Sequence, residues 1–462
     1  MADEDFCRWS AAELVSAYRR GTVSPVEVTT TFLDRIDRYD VELNAFVEVT
    51  RDLALAQASE AERRYADGGP LAPLTGVPVS IKDAFHIEGV VTTLGSLVHR
   101  DQVAKTDSGV VRRLRAAGAV FTGKTNTAEF GQSATTDNLL GPDTANPWDT
   151  TRTPGGSSGG AAASVAAGLS TLAVGSDGGG SIRIPAAFAG LYGLKPSAGV
   201  VSDERGFRAM TDFVSAGPMT NTVADARTML GVLAGRTFLP AVPRTGLRIG
   251  YCAHPEGRPV DPGVAGVIAK TAHILETLGH HVTEIDLPVD GWNDVFGPLV
   301  LDDEHRERGH LLAQHADQLT RYERSALRAA LSLDPSAALR ANELLPVFRQ
   351  RIDDLLTTYD VVLTPAVAVP AFPLGERPAT IDGHEVDQLW GAFPFAVPFN
   401  VAGVPAASLP CGLVDGLPVG AQLVTRAGTE QLLLNISEQL EQAVEFDRTR
   451  LVERWSSARV GA

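Results

Sequence analysis

The sequence predicts an α/β protein in which a twisted, mixed, largely parallel β-sheet is sandwiched by α-helices. Three observations predict it. Short apolar runs bounded by Gly and Pro alternate with amphipathic segments of helical period. The 462 residues, 44% apolar and 21% charged, are enough for a large core in one domain or in two to three lobes. The longest small-apolar run, 161 to 174, is interrupted by Ser164, Gly168 and Ser170, so it does not read as a membrane span.

Taken in order, Ser10-Ala-Ala-Glu13 has capping-box spacing ahead of ELVSAYRR and Gly21. Ser24-Pro25-Val26-Glu27 repeats the pattern with Pro at the first helical position. A third helix covers about 51 to 65, and GGPLAPLTGVP then leads into VPVSIKD. There Val77, Val79 and Ile81 alternate with Pro78, Ser80 and Lys82, so a strand points Lys82 away from its apolar face. VVRRLRAAG reads as helix, AVFTG as strand, 133 to 156 as an irregular polar loop, and the small residues beyond it as a helix. From about 240 the texture changes to a helix over 262–278, the strand-like HVTEIDL, and a His- and Arg-rich helical stretch over 300–358 that reads as a lid or accessory lobe. Strand-like sequence returns at DVVLTPAVAVP, PAASLPCG and LPVGAQLVT, the last two joined by a hairpin turn at Asp415-Gly416. A final helix begins near Thr429.

The formal net charge of −16 argues against a broad nucleic-acid footprint or an anionic membrane as partner. Cys7, Cys252 and Cys411 are scattered and odd in number, which fits neither a disulfide framework nor a metal site and suits a cytoplasmic protein. The acidic N-terminus lacks the apolar region of a secretory signal.

Two suggestive patterns are set aside on context. Residues 118–125, GAVFTGKT, match the phosphate-binding loop letter for letter. That loop needs a strand before its glycines and a helix after them, whereas here a helix precedes and the motif itself reads as strand. His305 and His310, five apart among arginines, read as a solvated helix face, and His280-His281 as a structural helix-to-strand junction.

The chemistry concentrates in two glycine-serine segments, TPGGSSGG and GSDGGGSIRIP. In the second, Gly178-Gly179-Gly180-Ser181 can curl so that backbone N–H groups converge beside the Ser181 hydroxyl, a nucleophile with an oxyanion hole attached. A serine needs a base, and no histidine lies between Asp101 and Cys252. The remaining candidate is a lysine held neutral by burial, its pKa brought from about 10.4 to roughly 7 or 8. Lys82, at the end of an apolar strand, is the best placed.

GVPVSIKDAF, GKTNTAEF, NPWD, PGGSSGGAAASVAAG, GSDGGGSIRIPAAFAGLYGLKPS and NVAGVPAASLPCG, in this order, resemble the amidase signature family. The likeness is strong over about 8–240 and 390–445 and weak over 245–385. It implies a Ser–cis-Ser–Lys triad: Ser181 attacks an acyl carbonyl, Ser157 follows a cis peptide bond and relays the proton, and Lys82 receives it. It further implies an oxyanion hole at the N–H groups around Gly178, Gly179, Gly180 and Ser181, with Asp177 and Arg183 bracing the loop. Gln132 and Ser133 fall where the family's pocket is often lined. The expected divisions are an N-terminal helical region (1–68), a core carrying the triad (69–245), a variable, substrate-determining helical cap (246–389), and a C-terminal part of the core sheet with the final helices (390–462).

The resemblance thus implies an amidohydrolase without metal or organic cofactor, cleaving a C–N acyl bond through an acyl-enzyme on Ser181. A stand-alone amidase is the expected form, with no obligatory partner subunit, no nucleic acid or membrane partner, and a homodimer allowed. Pro398-Phe399-Asn400 and the unusual middle region carry that preference, and the apolar WGAFPFAVPF points to a small uncharged or hydrophobic amide. Esters and carbamates are open to the same nucleophile. Two other readings stand beside it: the glutaminase component of a tRNA-dependent amidotransferase, and a non-catalytic binding protein on the same scaffold.

Overall fold

The first two helices form where their caps direct. In the computed structural model, which describes residues 5–201, 210 and 212–456, Ser10 and Ser24 both close reciprocal capping boxes, on helices Ala11–Arg20 and Pro25–Leu43. Each such cap contributes about 1 kcal/mol.

Among the described residues, thirteen strands follow in chain order: β1 (Phe46–Val49), β2 (Pro78–Lys82), β3 (Val120–Thr125), β4 (Leu172–Asp177), β5 (Tyr192–Lys195), β6 (Ser215–Thr220), β7 (Arg248–Tyr251), β8 (His281–Glu284), β9 (Val361–Pro365), β10 (Thr380–Ile381), β11 (His384–Glu385), β12 (Ala406–Val414) and β13 (Leu417–Val424). Eleven make one sheet in the order β1-β3-β2-β4-β6-β5-β12-β13-β9-β7-β8, while β10 and β11 pair separately. The sheet is mixed and flanked by helices, as expected. β2 runs parallel to both β3 and β4, and β7 parallel to β8 and β9, with antiparallel pairs joining these blocks. The β12–β13 hairpin turns at Asp415 and Gly416, both at positive φ (52° and 76°), the geometry that favours this residue pair.

Val79, Ile81, Phe121, Leu172 and Val174 bury one face of the sheet. The other face packs on the fully buried helix Gly159–Ala166, whose small residues let it lie close to the strands. The 246–389 segment supplies β7, β8 and β9 to the sheet, β8 and β9 from the strand-like HVTEIDL and DVVLTPAVAVP and β7 unforeseen, while its helices Trp292–Arg308, Arg321–Leu331 and Pro335–Thr358 pack together. Gly118 ends helix Gly109–Ala116, and Lys124 lies inside β3, buried and ion-paired with Asp83 at 2.5 Å, so GAVFTGKT is strand, not a phosphate cradle. Among the described residues, no helix is long and apolar enough to cross a membrane.

Candidate active site

Strand β2 lies between β3 and β4, and all five of its residues are buried. The two-residue period sends Val79 and Ile81 into one core and Ser80 and Lys82 to the opposite side, where Ser80 Oγ lies 3.0 Å from Ser164 Oγ of the small-residue helix. Lys82 Nζ donates to Ser157 Oγ at 2.7 Å, to Ser176 Oγ at 3.0 Å and to the Ser176 carbonyl at 3.4 Å. Burial holds its amine well below the usual lysine range, against the opposing pull of the Asp177 charge.

Ser157 stands on the turn that opens helix Gly159–Ala166, and the Gly156–Ser157 peptide is cis. A Cβ on Gly156 would come within 2.6 Å of the Thr135 carbonyl, so only glycine lets the turn approach the 133–137 segment this closely. Ser158 is turned elsewhere: its Oγ donates to the Ser176 carbonyl at 3.2 Å, and its N–H to the Ser181 carbonyl at 3.2 Å, tying the two serine segments together.

Ser181 sits where β4 gives way to helix Arg183–Ala189, half-buried on the wall of a cavity of about 1160 Å³. Its loop is held from beneath by Asp177. Arg183 donates to both carboxylate oxygens at 2.9 Å, Asn400 Nδ2 to Oδ1 at 2.8 Å, and the Gly180 N–H to Oδ1 at 2.8 Å. Burial raises the Asp177 pKa, but the Arg183 charge and these side-chain hydrogen bonds outweigh it and leave the carboxyl well below its ordinary range. Arg183 reaches on to Gln422 Oε1 at 2.7 Å, and Gln422 Nε2 to Thr364 Oγ1 at 2.9 Å, anchoring the loop to β9 and β13.

The expected set of oxyanion donors is corrected at one position. The Gly180 N–H is taken by Asp177, and its φ of +110° turns it down into the loop. Among the described residues, the N–H groups of Gly178, Gly179 and Ser181 carry no hydrogen bond, so those three stay available.

Gln132 and Ser133 line the same cavity as Ser181. Gln132 Nε2 donates to Glu304 Oε1 of helix Trp292–Arg308, and the Ser133 hydroxyl accepts from Arg377 Nη2 at 2.8 Å. Tyr322 Oη donates to the Asp137 carbonyl at 2.9 Å and fastens helix Arg321–Leu331 to the same wall. Sequence reasoning passed over Ser176, Gln422, Glu304, Tyr322 and Arg377, and read Asn400 only as a sign of a stand-alone amidase. Only Asn400 and Ser176 fell inside recognisable motifs, and a polar residue within a strand or a family block bears no mark of its partner.

The comparisons with known proteins extend along nearly the whole chain. A family model described as Amidase matches residues 27–434. The A-type subunit of the glutamyl-tRNA(Gln) amidotransferase of Carboxydothermus hydrogenoformans is 34% identical, over 96% of this chain and 98% of its own length. A bacterial aryl acylamidase of the amidase signature family superposes with a TM-score of 0.87 at 29% identity, covering 97% of this chain and 98% of the other. The A-type subunit of the Thermotoga maritima glutamyl-tRNA(Gln) amidotransferase superposes with a TM-score of 0.76 at 26% identity, covering 96% and 97%. These findings overturn two expectations. The stand-alone amidase gives way because the curated relatives matching end to end are A-type subunits. The absence of an obligatory partner gives way with it, since these relatives are named as subunits. Pro398-Phe399-Asn400 misled because Asn400 serves the Asp177 brace beneath the loop and says nothing about assembly.

Proposed function

The chain belongs to the amidase signature family of amidohydrolase-type enzymes, and from that premise we propose that it is the glutaminase (A-type) subunit of a tRNA-dependent amidotransferase. The observation that carries this reading is the end-to-end similarity to A-type subunits, 34% identity over 96% of the chain. In this reading, the Ser181 hydroxyl attacks the side-chain amide carbon of glutamine. Its proton passes to Ser157, and the Ser157 proton passes along the 2.7 Å contact to the neutral Lys82 amine. The N–H groups of Gly178, Gly179 and Ser181 receive the developing oxyanion. Lys82 returns the proton through Ser157 to the departing nitrogen, which leaves as ammonia, and water then releases glutamate from Ser181 by the same relay. The ammonia serves the chemistry of a partner protein on tRNA, so the partners are other protein subunits.

The test is ammonia release from glutamine by the purified chain, alone and with B-type partner subunits and tRNA. Glutaminase activity that depends on, or rises with, the partners is the expected result. Partner-independent hydrolysis of simple amides, with glutamine untouched under either condition, would overturn the proposal.

A further inference from the structure

The cavity that Ser181 faces is far larger than an amide group, so its wall must recognise the remainder of the substrate. Arg377 is the notable side chain on that wall. It is half-buried, while Arg321 on the same wall is exposed. Burial pulls the guanidinium pKa below its usual value, against the opposing charges of Asp137 and Asp387, neither of which pairs with it directly. A partly desolvated cation is expected to have an anion against it. Among the described residues, no ion pair reaches Arg377. Its Nη2 donates to Ser133 Oγ at 2.8 Å and Thr135 Oγ1 at 3.3 Å, and its Nη1 to the carbonyls of Gln388 at 3.1 Å and Leu389 at 3.5 Å. All four acceptors are neutral. Asp137 stands one hydroxyl away, accepting from Thr135 Oγ1 at 2.6 Å.

Position completes the argument. Thr135 is the residue whose backbone lies against Gly156, next to Ser157, so the hydroxyl that Arg377 holds belongs to the segment packed on the relay turn. The guanidinium is therefore tied to the segment packed on the relay turn and lines the cavity that Ser181 also lines, with its Nε–H free of any hydrogen bond among the described residues. Planar, always charged and already oriented, it has the geometry that binds a carboxylate.

We propose that Arg377 is the specificity-determining residue for a substrate carboxylate, so that the cavity selects amides bearing a carboxylate a few bonds from the amide carbon. This rests on the glutaminase reading, in which that group is the α-carboxylate of glutamine, and it replaces the uncharged substrate expected from the apolar WGAFPFAVPF segment.

The test measures binding by calorimetry to the Ser181→Ala protein, which cannot turn its ligands over. The probes are glutamine, glutaramate (an amide and a carboxylate without the ammonium) and the neutral butyramide. Glutaramate is expected to bind about tenfold or more tighter than butyramide, and Arg377→Met to remove that advantage while leaving butyramide unchanged. Arg377→Lys, which keeps the charge but loses the fork, is expected to retain part of it. Equal affinity for glutaramate and butyramide, or a loss in Arg377→Met that is the same for both, would overturn the proposal. Glutaramate binding through Arg377 in a protein that never hydrolyses glutamine, even with partners, would sink the glutaminase reading and leave the carboxylate subsite standing.

Discussion

Lys82 and Lys124 lie on the adjacent parallel strands β2 and β3, Lys82 opposite Thr125 and Lys124 opposite Ile81, both buried, yet their surroundings fit them for different work. Burial lowers both amines. At Lys124 the Asp83 carboxylate at 2.5 Å opposes that shift, and Thr92 Oγ1 accepts a further hydrogen bond at 2.8 Å. At Lys82 the hydrogen bonds at 2.7, 3.0 and 3.4 Å go to hydroxyl and carbonyl oxygens, and its pKa falls well below the ordinary value. A buried lysine against a carboxylate serves as a fastener of the sheet; one among serines has the surroundings that the proposed relay asks of its base. The difference lies in the acceptors each site offers, not in residue type or depth.

The sharpest way to break this comparison is to remove each amine in turn. Lys82→Met is expected to lower kcat by a factor on the order of 10² to 10⁴, the usual contribution of a general base. The same variant is expected to be at least as stable as the parent at neutral pH. The native lysine binds fewer protons folded than unfolded, so its burial cost is full below its lowered folded pKa and fades as pH rises to the ordinary value of 10.5. Urea titrations of the two proteins should therefore converge with rising pH. A stability gap that widens with pH would mean that Lys82 is charged in the fold.

Lys124→Met should do the opposite. It strands the buried Asp83 carboxylate and is expected to cost about 3 to 5 kcal/mol of stability, read by denaturant titration, with kcat of the remaining folded protein changed far less than by Lys82→Met. A Lys124→Met protein of parental stability would show that the pair is not a fastener. The smallest expected effect is at Ser176, whose hydroxyl shares Lys82 with Ser157. Ser176→Ala removes one hydrogen bond of about 1 kcal/mol and should slow turnover by roughly threefold to tenfold. A loss as large as that from Ser157→Ala would make Ser176 the relay instead.

What the sequence could disclose follows the same division. The helix caps, the β12–β13 turn and β2 were legible because each is specified by a few consecutive residues. Strands β5, β6 and β7 were not, being four to six residues long, with β6 carrying Gly217 and Pro218, which read as breakers. Lys82, Ser157 and Ser181 stood out within dense motifs, and the fold brings Lys82 and Ser157 into contact. The loop's support was hidden because Arg183 reaches Asn400 and Gln422 more than 200 residues along the chain. Arg377 was hidden in the middle region, where the family likeness is weak and a charged loop residue reads as solvated.

The most direct test of the account is the pH dependence of Ser181 labelling by a fluorophosphonate, in the parent and in Lys82→Met. A neutral buried lysine acting through Ser157 predicts that the parent's labelling rate rises with pH through a single ionisation below 10.5 and that the variant loses this limb. Identical profiles in the two proteins would contradict it.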